Sequence, residues 1–137
     1  MSHSPHLLLM LCISVVGLLI VHELAHSLVA RFYGGRILHA VWDLRHGRIG
    51  VALDVTGLTP SQIRQTLIAA PIAEGVWMCL MLWWHPALAV WWRWILPVHW
   101  GLNAFPIGAT DGAQWWRLWR HTPHSLHESA PLLARSR

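Results

Sequence analysis

Charged residues are scarce. Asp, Glu, Lys and Arg make up 12% of the 137 residues, about half the share usual in a soluble domain. That deficit argues against a soluble globular protein. Cysteine is also rare: Cys12 and Cys79 lie in apolar stretches and lack metal-site spacing. Two such residues exclude a disulfide framework and read as small buried hydrophobes. The net charge of +4 comes from arginines scattered through loops and ends. With no dense basic face, a nucleic-acid partner is not expected. There is no internal repeat and no low-complexity tract. No Lys or Arg precedes Leu7, and the apolar run that follows is too long for a signal-peptide core.

What the chain has instead is apolar residues, 55% of the total, and 11 Trp. Trp favours the headgroup level of a bilayer, so the Trp clusters read as interface anchors. The length suits one domain, which is expected to be an all-α membrane protein. Residues 7–32 form its first span, and Gly34-Gly35 then breaks the helix. The polar stretch 36–56 holds two β-prone runs, Ile37 to Trp42 and Ile49 to Val55, around Arg45-His46-Gly47-Arg48. This pattern predicts a β-hairpin, and it must lie at the membrane surface because an open sheet edge cannot face lipid.

Thr59 or Ser61 caps the next helix, which starts near Gln62. Its spanning part is 66–84, with Pro71 and Glu74 inside. His85-Pro86 turns the chain into a third span over 87–105, carrying Arg93, Pro97 and His99. Residues 103–108 disrupt it, and Asp111 opens a broken continuation to 120. The tail 121–137 reads as loose. Arg31, Arg36, Arg45, Arg48 and Arg64 fall in the first loop. Arg117, Arg120, Arg135 and Arg137 follow the third span, and only Arg93 lies near the intervening turn. The positive-inside rule then places the N-terminus outside and the C-terminus in the cytoplasm.

Within the first span stands His22-Glu23-Leu24-Ala25-His26. On a helix the two histidines share a face, their Cβ atoms about 6 Å apart. That spacing lets both imidazoles hold one Zn²⁺ at about 2.0–2.1 Å. Glu23 lies beside them, where it could accept a proton from water. Ionisable groups at membrane depth are costly and mark function. A catalytic zinc site needs a third protein ligand. Asp111 is the first candidate, since it sits near a helix break at membrane depth; Glu74 is second and His99 third. Glu74 reads equally as a structural acid or as a cavity residue, and His99 as an interior histidine satisfied by a neighbouring helix. Asp43, Asp54 and Glu128 read as surface residues, and His121, His124 and His127 as a solvated tail.

Taken together, His22-Glu-x-x-His26, Ala70-Pro71-x-x-Glu74 and Asn103-x-x-Pro106-x-x-x-x-Asp111-Gly112 resemble the core of the site-2 protease family of intramembrane zinc metalloproteases. The likeness covers residues 7–120 in a minimal three-span form. It implies His22, His26 and Asp111 as zinc ligands and Glu23 as general base and acid. It implies Asn103 near the substrate backbone, and Glu74, Pro106 and Gly112 about the cavity. The hairpin would be an edge for gripping an unwound substrate. The middle motif departs from the usual Gly-Pro-x-x-Asn, and Thr110 and Ala113 replace the usual Leu and Gly around Asp-Gly. The implied activity is cleavage of a peptide bond in a membrane-protein substrate, by a multi-pass protein of a bacterial cytoplasmic membrane. So small a bundle is expected to self-associate or use a partner subunit. The alternative is a non-catalytic metal-binding membrane protein, or a degenerate homologue serving as a partner subunit.

Overall fold

A computed structural model describes residues 5–43, 48–106 and 110–121 of the chain. It is mostly helical with one two-stranded antiparallel sheet. Helix α1 runs Pro5–Phe32, strand β1 Arg36–Asp43, strand β2 Arg48–Asp54 and helix α2 Pro60–Trp84. A 3₁₀ turn at Pro86–Leu88 leads into α3, Ala89–Ala104, and α4 covers Asp111–His121. The predicted turn around 45–47 and the tail beyond 121 lie outside the described residues.

Helix α1 ends where Gly34 takes φ +94°, a conformation that favours glycine. The Gly35 N–H donates to the Ala30 carbonyl at 2.8 Å, which turns the chain back along the helix. The hairpin follows, pairing Arg36 with Asp54 and Val41 with Gly50, with an irregularity between Ile37 and His39. Asp54 closes it by accepting from the Thr56 hydroxyl at 2.7 Å and the Thr56 N–H at 3.1 Å. These bonds hold the Asp54 carboxyl below its ordinary value. Helix α2 begins at Pro60, two residues before the expected start, because Thr59 and Gln62 form a capping box.

The long helices α1 and α2 pack against each other. Trp77 of α2 lies against Gly17 of α1, where an added Cβ would meet the ring at 2.2 Å. Its indole N–H donates to the Ser14 carbonyl at 2.9 Å. A small apolar core of Leu18, Leu88, Trp92 and Leu96 ties α1 to α3.

Polarity in α1 is inverted relative to a soluble helix. Its buried residues include Ser14, His22, His26 and Ser27, while Leu9, Ile13, Val16, Ile20, Leu24 and Leu28 face outward. Only 17% of the most apolar window of α1, and 22% of that of α2, is buried. Both helices are long and apolar enough to cross a membrane, and neither is the mostly buried core helix of a soluble fold.

Helix α3 is shorter than the predicted third span. Its 16 residues rise about 24 Å, against a hydrocarbon core of about 30 Å. The 3₁₀ turn takes up its first residues. At the other end Phe105 is extended, φ −68° and ψ 131°, as the residue before Pro106 must be. Cys12 and Cys79 are exposed rather than buried as expected. They occupy outward faces of the two long helices, and in an all-apolar stretch nothing distinguishes outward from inward positions.

Candidate metal centre

Three side chains from two distant parts of the chain converge. His22 and His26 of α1 are buried, with Nε2 atoms 3.2 Å apart. Asp111, at the start of α4, places Oδ2 3.1 Å from His26 Nε2 and 3.4 Å from His22 Nε2. Donors bound tetrahedrally at about 2.0–2.1 Å lie about 3.3–3.4 Å from one another. The three separations therefore match a set of ligands around one ion.

The other nitrogen of each ring is anchored. His26 Nδ1 lies 2.8 Å from the Thr66 carbonyl, which only accepts, so Nδ1 carries the proton. His22 Nδ1 lies 2.6 Å from Glu74 Oε1, and a carboxylate likewise accepts. Both Nε2 atoms face each other and the Asp111 oxygen, and in the neutral rings each would offer its lone pair to a shared cation. Anchoring the far ring nitrogen in this way is a regular feature of histidine ligands.

Glu74 is almost wholly buried, 1% exposed, and has three polar partners. Besides His22, Oε1 lies 2.7 Å from His99 Nε2, and Oε2 accepts from the Trp100 indole at 2.5 Å. Asn103 extends the network, its Nδ2 2.9 Å from His99 Nε2. His22, Glu74 and His99 form a second group that could hold a metal ion. Their contacts of 2.6–2.7 Å are hydrogen-bond lengths, shorter than the separations of tetrahedral ligands. The expected His99 contact to a neighbouring helix is present. The roles of Glu74 and Trp100 as partners were not readable from residue types.

Asp111 is fixed by the end of α3. The Thr110 hydroxyl donates to the Phe105 carbonyl at 2.5 Å and accepts from the Ala113 N–H at 3.3 Å. It thus caps α4 while holding it to α3. Gly112 lies so close to Ala104 that an added Cβ would sit 2.0 Å from that carbonyl oxygen. Pro106 is exposed, in the extended stretch after α3.

Glu23 is bonded to the hairpin. Its Oε2 accepts the Val51 N–H of strand β2 at 2.8 Å. Among the described residues, the structure thus brings together His22, His26 and Asp111, groups Glu74 with His99 and Asn103 behind them, and sets Glu23 against the hairpin. These buried His, Glu and Asp groups could hold a metal ion. No family model, no curated protein and no solved structure matches the chain.

Proposed function

We propose that this chain is a zinc-dependent intramembrane endopeptidase, cutting a peptide bond within or near a membrane-spanning segment of a substrate protein. The observation that carries the reading is the convergence of His22, His26 and Asp111 at 3.1–3.4 Å. Two imidazoles and one carboxylate are a catalytic zinc donor set, which leaves a fourth position for reactants. The likeness of the three motifs to the site-2 protease family supports the same reading. Helices α1 and α2 cross the membrane, and residues 86–104 make a third, shorter crossing. By the arginine distribution, the hairpin and α4 face the cytoplasm.

Bound zinc supplies a Lewis acid for the scissile carbonyl and lowers the pKa of water toward about 7. Glu23 takes the proton from the attacking water and delivers it to the leaving amine. His22 and His26 hold their positions through Glu74 and the Thr66 carbonyl. The substrate segment must be unwound, since an intact helix engages its own carbonyls.

A second reading, a non-catalytic metal-binding membrane protein or partner subunit, is favoured by one contact: Glu23 bonds β2. Zinc content and turnover separate the two. Purified in detergent without a histidine tag, the wild type should hold about one zinc per chain, sharply reduced in Asp111→Ala. Glu23→Gln should keep the zinc and lose cleavage of a membrane-protein substrate. Retained cleavage in Glu23→Gln removes that residue from the mechanism. Full zinc in folded Asp111→Ala sinks the ligand set.

A further inference from the structure

We propose that the backbone N–H of Val51 is a positioning group for Glu23, which makes strand β2 one wall of the reaction centre. The inference rests on the peptidase reading, since it gives Glu23 a task that needs a fixed carboxylate.

Two observations bring the strand to that residue. Glu23 Oε2 accepts the Val51 N–H at 2.8 Å. A Cβ at Gly50 would lie 3.1 Å from both Glu23 oxygens and 3.2 Å from the carboxyl carbon. The carboxylate therefore lies against a residue with no side chain while it is bonded by the next one. Gly50 leaves the room and Val51 supplies the donor.

The chain reaches this point by construction. From Glu23 to the end of α1 is about 13 Å of helix. Gly34 and Gly35 reverse the direction, and the six residues of β1 from Arg36 to Val41 run back about 17 Å. Val41 pairs with Gly50, so β2 passes at the level of Glu23. The hairpin length and the turn after α1 together determine which strand residue meets the carboxylate.

A general base must sit within about 2.6–3.2 Å of the proton it takes. Glu is a long side chain with much rotamer freedom to lose. One backbone donor fixes Oε2, while Oε1 accepts no hydrogen bond from the described residues. Among the described residues, Glu23 is thus held at one oxygen and not at the other. The contact also removes the Val51 N–H as a donor for any strand added along β2. A substrate segment gripped by that edge must use neighbouring positions.

The contact and its consequence are tested separately. Amide exchange at Val51 is compared in zinc-loaded wild type and Glu23→Ala, with no substrate. Exchange should quicken at least about tenfold in the variant, because a charge-assisted bond is lost. Unchanged exchange overturns the proposal whatever the turnover. Turnover is then compared in Val51→Pro, which lacks the N–H at an edge position where Pro is tolerated, and in Val51→Ala, which keeps it. Val51→Pro should lose at least about tenfold in kcat, with KM and zinc content held, since positioning acts on the chemical step. Val51→Ala keeps the N–H and controls for the lost side chain, so Val51→Pro should fall at least about tenfold below Val51→Ala in kcat. Full kcat in Val51→Pro overturns the proposal. If Val51→Pro loses zinc, Gly50→Ala decides, since its methyl displaces the carboxylate by a few tenths of an ångström; unchanged kcat there also overturns the proposal. A wild type with no turnover but with exchange slowed by Glu23 removes the peptidase reading, and with it the positioning role, while the contact stands.

Discussion

His22 Nδ1 and Glu74 Oε1 lie 2.6 Å apart, so helix α2 fixes the ring of the first histidine in the candidate metal group. Glu74 is held from α3 as well, by His99 at Oε1 and Trp100 at Oε2. One buried carboxylate thereby joins all three helices directly behind the ligands.

Glu74→Ala should weaken zinc binding by about 10–100-fold, the usual effect of losing a partner behind a ligand. Glu74→Gln keeps an acceptor and the side-chain shape, and should fall between that variant and wild type. Competition against a graded chelator measures both. Complete loss of zinc in Glu74→Ala, with Asp111→Ala unaffected, would instead make Glu74 a ligand and overturn the assignment.

The order of elements was readable in the residues. An apolar run, Gly34-Gly35, two β-prone runs and Thr59 before Gln62 each carry a local physical signature, and the structure has the corresponding helix, reversal, hairpin and cap. The grouping of His22 and His26 follows from helical spacing alone. Asp111, 85 residues from His26, was readable only as a costly carboxylate near a helix break and from the motif, since spacing cannot link residues so far apart. The partners of Glu74 left no trace in residue spacing, since they depend on how α3 lies on α2. Trp100 looked like one more interface anchor among many. Gly50 and Val51 were missed because a backbone N–H belongs to every residue except proline. The expected third span is not shown among the described residues: α3 has 16 residues, because Pro86 to Leu88 form a 3₁₀ turn, which hydropathy alone does not reveal.

Gly112→Ala should loosen the metal site without touching a ligand. Its methyl would lie 2.0 Å from the Ala104 oxygen and 2.4 Å from the carbonyl carbon, backbone atoms that cannot swing aside. The first turn of α4 must move, and Asp111 moves with it. Displacement of a site by about 1 Å is enough to impair it, so zinc affinity should fall at least tenfold while the helices stay assembled. Chelator competition measures the first and far-ultraviolet circular dichroism the second. Wild-type affinity in this variant would show that Asp111 is not held by the end of α3.

Gly17→Ala should destabilise the α1–α2 contact through Trp77. The new methyl would meet the indole at 2.2 Å, and relieving that clash also pulls the ring N–H off the Ser14 carbonyl. Overpacking of this kind costs about 1–3 kcal/mol. A double-mutant cycle tests the cause. In a Trp77→Leu background the methyl has no ring to displace, so the same Gly17→Ala change should cost little. Zinc affinity should change less than stability, because His22 lies more than a turn further along α1 and is anchored separately by Glu74. The measurement is reversible unfolding in one fixed detergent or lipid, with zinc removed so that metal linkage does not mask the difference. An equal cost of Gly17→Ala with and without the Trp77 ring would mean that the glycine serves some other contact.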